Sequence, residues 1–256
     1  MILAPDRLGR FARHIVLPEI AGAGQAVLSQ ARVVLIGLGG IGSPALQYLA
    51  GAGIGSLVLV DDDSVDESNL QRQTIYRDDD IGHRKAELAE VWVSDFDPAI
   101  DVHWKAQRVT AETAPAMIAE ADLVLDGCDN FATRLAVSDA CVAAHIPLLS
   151  AAVGRFQGQV GAFAGHLPDQ PCYRCYVGDA FDADDCDTCA EDGMLGAMAG
   201  WTGTFAALQA IRALLAPTGG MGDPQWGKLH VLDGLAPSLR TVTIARDPAC
   251  KGCSAR

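Results

Sequence analysis

Short apolar runs recur along the first 150 residues, and each closes on a glycine or a polar residue. They cover 33–36 before Gly37, 57–60 before Asp61, 123–125 before Asp126 and 148–149 before Ser150. Runs of this length, aliphatic and β-branched, predict buried strands. A further strand is predicted at 101–106. Longer stretches with helical spacing lie between them: from Ser43 onward, over 82–96, around 112–120 and over 132–144. Strands and helices taking turns predict a parallel sheet covered by helices. After Ser150 the pattern changes. Residues 157–164 read as a strand, with Gly158 and Gly161 as bulges or points of close approach, and strands are predicted near 228–233 and 239–245. The stretch 194–216 is apolar on most faces and predicts a buried helix. Residues 5–30 read as helical, broken near Pro18 and Gly22-Ala23-Gly24.

The first apolar run leads into Gly37-Leu38-Gly39-Gly40-Ile41-Gly42, which adds chemistry to the pattern. Strand, glycine turn and helix start form a G-x-G-x-x-G arrangement on Gly37, Gly39 and Gly42. A turn without Cβ atoms lets a phosphate lie against backbone N–H groups, where the helix dipole favours negative charge. Asp61, at the end of the next strand and about 20 residues on, is placed to accept hydrogen bonds from a ribose hydroxyl. The sequence therefore predicts an adenine-nucleotide site. The polar loop 67–73 follows directly, and in such a sheet its Asn69 and Arg72 reach the ligand crevice. Lys85, near a helix start, opposes the helix dipole; it marks either an anionic ligand or an ordinary surface lysine. Asp129 is either the N-cap of the helix that follows or a carboxylate holding Mg²⁺ above the phosphates. Arg7, Arg10 and Arg13 recur at three-residue steps, which by spacing alone is a solvated basic face.

At 256 residues the chain accommodates one domain, or one with an appendage, and half of its residues are apolar. The formal charge of −13 argues against a duplex nucleic-acid partner. It serves solubility or, as we favour, presents an acidic face to a basic protein. No window has the length of a membrane span, and the first residues lack the layout of a signal peptide, so the expected location is cytoplasmic. Eight cysteines in that compartment do not predict a disulfide framework. Cys128 and Cys141 sit singly in apolar stretches and read as inert thiols. The other six form C-x-x-C pairs at Cys172/Cys175, Cys186/Cys189 and Cys250/Cys253. Two such pairs far apart in sequence signal tetrahedral zinc, assigned here to Cys172, Cys175, Cys250 and Cys253. Four thiolates leave no open position, which makes the site structural. Cys186/Cys189 is a rival pair, and redox motifs are the competing reading, without a thioredoxin-like context to support them.

Together these residues resemble the MoeB/ThiF/HesA family, bacterial relatives of ubiquitin-activating enzymes. The resemblance covers nearly the whole chain. It rests on Arg13, the glycine turn, Asp61, Ser68-Asn69-Leu70-Gln71-Arg72-Gln73, Gly82-x-x-Lys85, Cys128-Asp129-Asn130, Gln157-Gly158-Gln159, Cys172-Tyr173-Arg174-Cys175 and the terminal cysteine pair. Ile41 stands where such proteins usually carry Leu, a minor departure. The resemblance implies an α/β, doubly wound Rossmann-like sheet whose parallel N-terminal part is continued by antiparallel strands, with a structural zinc site held by four cysteines. It implies a single adenylation domain over 1–256: a helical arm (1–30), a nucleotide-binding half (31–150) and a carrier-binding half with the zinc site (151–256).

The implied activity is adenylation by ATP of the C-terminal Gly-Gly of a ubiquitin-like sulfur carrier, of the molybdopterin or thiamin type, with release of pyrophosphate. Gly37, Gly39, Gly40, Gly42, Asp61, Asn69, Arg72, Gln73, Lys85 and Asp129 would bind the nucleotide, with Mg²⁺ on Asp129. Arg72, Lys85 and Asp129 would also act in catalysis. The chain would work as a homodimer, with Arg13 reaching the neighbouring subunit's ATP as an arginine finger. Cys189 stands where some relatives carry a cysteine linked through sulfur to the carrier; an inert loop thiol is the alternative. Sulfur itself would come from a separate donor such as a cysteine desulfurase or rhodanese. The rival expectations are an NAD(P)-dependent oxidoreductase using the same turn and a non-catalytic carrier-binding scaffold.

Overall fold

The structure, a computed structural model, describes residues 5–178 and 193–254. In these residues eight strands form one sheet: β1 (Arg32–Ile36), β2 (Ser56–Val60), β3 (Asp101–Lys105), β4 (Leu123–Asp126), β5 (Leu148–Gly154), β6 (Gln157–Phe163), β7 (Lys228–Asp233) and β8 (Ser238–Thr243). Their order across the sheet is β3-β2-β1-β4-β5-β6-β7-β8. Pairing is parallel from β3 to β5 and antiparallel from β5 to β8. The expected mixed architecture is the one observed.

Period-two alternation explains how the sheet is covered on both faces. Val33 and Leu35 of β1, Leu57 and Leu59 of β2, and Leu123 and Leu125 of β4 point into one core cluster. That cluster is completed by α3 (Gly42–Ala52), α4 (Lys85–Phe96) and α8 (Gly196–Leu215). Val34, Ile36, Val58, Val60 and Val124 point to the opposite face, beneath α5 (Ala114–Met117) and α6 (Phe131–Ala144). Strands buried on both faces must be apolar at every position, which is why the runs were continuous rather than alternating.

Several elements differ from the pattern-based expectation. Residues 5–30 divide into a 3₁₀ turn, α1 (Ala12–Ile15) and α2 (Ala21–Leu28). Pro18 supplies no N–H, and Ala21 takes φ 52, so the helix cannot run through. Strand β5 extends to Gly154 because β6 pairs with it residue by residue, from Leu148↔Phe163 to Gly154↔Gln157. Gly158 and Gly161 are therefore close-approach points rather than bulges. A Cβ on Gly158 would lie 2.0 Å from Thr202 Oγ1 of α8. Helix α8 buries its small residues against the sheet but exposes Trp201 and Leu208 on its outer side, so it is buried on one face only. Among the described residues no helix is long and apolar enough to cross a membrane.

The solvated basic face is corrected at Arg7 and Arg10, while Arg13 is exposed as that reading had it. Arg7 and Arg10 both reach Asp97, the fully buried C-cap of α4, with Arg7 Nη1 donating to Asp97 Oδ1 at 2.7 Å and Arg10 Nε 3.1 Å from Oδ2. The hydrogen bond from Arg7 holds the Asp97 carboxyl below the usual carboxylate range, against the opposing effect of burial. A lowered carboxylate pKa stabilises the fold fully above its unfolded value of about 3.9, and this support fades as pH falls through the folded value. We expect Arg7→Gln to cost roughly 1–3 kcal/mol at neutral pH. The difference from wild type should close at strongly acidic pH, as urea titrations at both pH values would reveal.

Candidate functional site

Strand β1 sits where the connections leave the sheet in opposite directions, to β2 on one side and β4 on the other. A crevice at the carboxyl ends of such strands is the usual ligand position. Here it is a cavity of about 750 Å³, within the size range of cofactor sites. The glycine turn forms its floor. Gly37 has φ +82, and a Cβ there would lie 2.8 Å from the Cys128 backbone nitrogen. A Cβ on Gly42 would lie 1.8 Å from the Gly37 carbonyl oxygen. Gly37, Gly39 and Gly40 line the cavity. Gly42 lies outside its lining and opens α3, so its requirement is one of packing.

Asp61 closes one wall. Its carboxylate accepts from Leu38 N–H at 2.6 Å and Asp63 N–H at 2.8 Å, which ties the acid to the turn. Burial pushes its pKa up, countered by the positive charge of Lys85. The lone pairs not used by these two amides remain to meet a ribose hydroxyl. Lys85 is no surface lysine: it is buried, and its Nζ reaches Asp63 Oδ2 at 3.0 Å. The 67–73 loop is shaped by a capping box in which Asp66 accepts from Ser68 N–H at 2.9 Å and Asn69 Oδ1 from Asp66 N–H at 3.4 Å. Arg72 is steadied by the Ser68 carbonyl at 2.9 Å. Asn69, Arg72, Gln73 and Lys85 all line the cavity. Gln73 is 3% exposed, and its Oε1 has no hydrogen-bond partner among the described residues. A buried acceptor left unmatched costs about 1–3 kcal/mol, and a ligand donor would relieve it.

The opposite wall follows β4. The N-cap of α6 is Asn130, whose Oδ1 accepts from Thr133 N–H at 2.9 Å, and not Asp129 as one reading had it. Asp129 is thus an exposed carboxylate lining the cavity. Beneath it lies a group that sequence reasoning missed. Asp126, fully buried, is 3.6 Å from Arg134 Nη1 and accepts from the Ser150 hydroxyl at 3.2 Å. The signal was an arginine on the apolar stripe of a helix, at helical spacing from the buried Val137, Ser138 and Cys141. Arg108, which reaches Asp62 at 3.7 Å, and Gln107 also line the cavity unforeseen. Cys128 and Cys141 are raised well above the usual thiol pKa, mainly by burial, which agrees with inert thiols.

On the far side of α6, Cys172, Cys175, Cys250 and Cys253 gather with all four sulfurs within 4.8 Å of one another. Separations of 3.9, 3.6 and 3.5 Å join Cys172 to Cys175, Cys172 to Cys250 and Cys175 to Cys253. Zn–S bonds of about 2.3 Å in a tetrahedron give S···S edges of about 3.8 Å. Burial pushes Cys172 up and Cys253 to about 11. Burial also opposes ionisation at Cys250, but N–H groups of Gly252 and Cys253, together with hydrogen bonds from the Cys172 and Cys175 thiols, outweigh it and lower that thiol. Four crowded thiols of this kind ionise together only around a cation. The donor set fits zinc. Arg174, between the first two cysteines, holds Asp139 of α6 through Nε at 2.7 Å and Nη2 at 2.8 Å.

Two predicted residues stand apart. Arg13 on α1 is exposed, forms no hydrogen bond or ion pair among the described residues, and does not line the cavity of its own chain. Cys189, with Cys186, lies outside the described residues.

Comparison with known proteins is consistent with this arrangement. Residues 11–252 match the ThiF family. The chain is 39% identical over 251 residues to the SAMP-activating enzyme E1 of Haloferax volcanii, covering 98% of this chain and 90% of that protein. It is 39% identical over 244 residues to the sulfur carrier protein ThiS adenylyltransferase of Escherichia coli, covering 95% and 94%. The crystal structure of E. coli MccB with MccA-N7isoASN shares the fold, with a TM-score of 0.81 at 23% identity over 95% of this chain and 74% of that one.

Proposed function

Because the chain belongs to the ThiF family, we propose that it is an adenylyltransferase that uses ATP to activate the C-terminal Gly-Gly of a ubiquitin-like sulfur carrier. One observation carries the reading: a single cavity gathers a glycine turn, cationic side chains that include Arg72 and Lys85, and the exposed carboxylate of Asp129. That set suits the reaction. A chain-terminal carboxyl has a pKa of about 3.3–3.7 and is ionised at neutral pH, so no general base is required. The difficulty is that a carboxylate must approach an α-phosphate, anion against anion. Preorganised positive charge is what lowers such a barrier.

In this reading Asp61 holds the ribose, and the turn amides with Asn69, Arg72, Lys85 and the side-chain N–H groups of Gln73 hold the triphosphate. Asp63 keeps Lys85 in place until phosphate arrives. The carrier carboxylate attacks the α-phosphorus, the bond to the β-phosphate oxygen breaks, and pyrophosphate leaves with the electron pair. Asp129 would hold Mg²⁺, which when bound neutralises part of the phosphate charge. The four cysteines would hold zinc, with a structural role only. Arg13, exposed and absent from the lining of its own cavity, would serve the site of a second copy in a homodimer. The carrier would be of the molybdopterin-synthase small-subunit or thiamin type, the sulfur donor a separate protein such as a cysteine desulfurase or rhodanese, and the location cytoplasmic. Cys189 would take part in the later sulfur transfer.

The test is pyrophosphate–ATP exchange with labelled pyrophosphate. Exchange is expected only when a carrier ending in Gly-Gly is present, and removal of its last glycine should abolish it. Protection from thermal unfolding by NAD(H), but not by ATP with Mg²⁺, would replace this reading with an oxidoreductase. Binding of the carrier without any carrier-adenylate would leave only a scaffold.

A further inference from the structure

The group beneath the Asp129 wall is almost wholly buried, with Arg134 reaching the cavity wall at its edge, and its polar atoms are bonded chiefly to one another and to backbone. Arg134 is 7% exposed. Its Nη1 donates to the Ser150 hydroxyl at 2.9 Å, and its Nη2 donates to the Ala151 carbonyl at 2.7 Å and to the Cys128 carbonyl. Asp126 faces it at 3.6 Å and accepts from Cys128 N–H at 3.0 Å. The Cys128 residue is therefore gripped at both ends of its backbone: its N–H by Asp126 and its carbonyl by Arg134. The next residue is Asp129.

We propose that Arg134 is a positioning residue: by clamping the Cys128 carbonyl against β5 it sets the direction in which the Asp129 carboxylate enters the cavity. The inference deepens the proposed function and rests on it. A buried ion pair contributes little net stability compared with an apolar replacement, because desolvation consumes most of the attraction. Such a pair is better understood through the geometry it imposes. Arginine suits this geometry, since its planar fork supplies donors in fixed directions to three oxygens at once; lysine would keep the charge but not the fork. The cluster also spans the sheet between β4, β5 and α6, so it registers the glycine-turn side of the cavity against the antiparallel half.

The consequence is specific. Misplacement of a reacting group by about 1 Å costs on the order of 10²-fold in rate. Arg134→Lys and Ser150→Ala are the variants to make, the second a smaller change that removes only the hydroxyl bridging Arg134 and Asp126. Wild-type protein must first show carrier-dependent exchange; if it does not, the proposed function fails and this inference with it. Given exchange, each variant is followed by its half-saturating Mg²⁺ concentration and its KM for the carrier. Independently of turnover, each is followed by calorimetric titration of Mg²⁺ into the protein with a non-hydrolysable ATP analogue, where the same weakening is expected. For Arg134→Lys, half-saturation is expected to rise roughly tenfold or more, with the carrier KM within about twofold and partial recovery of rate at high Mg²⁺. Ser150→Ala should show the same pattern, more weakly. If Arg134→Lys does not fold, Ser150→Ala decides alone. Variants that fold with wild-type Mg²⁺ dependence, or whose rate falls without any change in it, would overturn the positioning role.

Discussion

Mixing Arg13→Ala chains with Asp129→Ala chains is expected to regenerate pyrophosphate exchange that neither variant shows by itself. An arginine finger in phosphoryl transfer is worth on the order of 10³–10⁵ in rate, a scale that serves as a guide for attack at an α-phosphate. Loss of Asp129 should be as severe if it anchors the only dication at the phosphates. Arg13 is exposed on α1 and absent from the lining of its own cavity, whereas Asp129 lines it. If Arg13 acts across a two-fold interface, a mixed dimer holds one site with both residues and one with neither. Random pairing then restores about a quarter of the wild-type rate, the share of sites reconstituted in a symmetric dimer. A mixture that stays inactive after subunit exchange would place Arg13 in its own subunit or remove it from the reaction. Single-variant Arg13→Ala at full activity would do the same more directly.

The nucleotide half was legible because buried parallel strands must be apolar throughout, and each run ended where the chain turned back. The glycine turn could be read for the same reason: Gly37 and Gly42 tolerate no Cβ, so the backbone constraint is written as residue type. What escaped were choices made by register or by distant pairing. Asp129 and Asn130 are both capping residues, and a shift of one position in the start of α6 decides which caps and which is free. Arg7 and Arg10 look like a solvated face until Asp97, some ninety residues on, is folded against them. Arg134 has its partners on β4 and β5, so nothing within its own helix identifies it as more than an oddly placed cation.

The cysteine cluster carries the second large expectation. Structural zinc in small finger peptides contributes an apparent 10–16 kcal/mol, roughly the whole folding free energy there. Here the effect should be local, since β7 and β8 are held by the sheet and α7 (Tyr173–Val177) keeps its Arg174–Asp139 pair and the Tyr173 ring without metal. Besides the cysteines, the tail after β8 is tied down by the Ile244 N–H to the Gly227 carbonyl at 2.8 Å and by Arg246 donating to the Leu167 carbonyl at 3.1 Å. The Asp247 N–H also points to Cys175 Sγ at 3.4 Å, a contact that depends on the cluster itself. Cys250→Ser should therefore reduce zinc from about one ion per chain to a small fraction, as metal analysis would measure. Hydrogen exchange should accelerate over 246–254 by orders of magnitude while α3 and β1 keep their protection. Uniform loss of protection would mean that the cluster supports the entire fold. Unchanged exchange with full metal content would mean that three thiolates suffice and Cys250 is not a ligand.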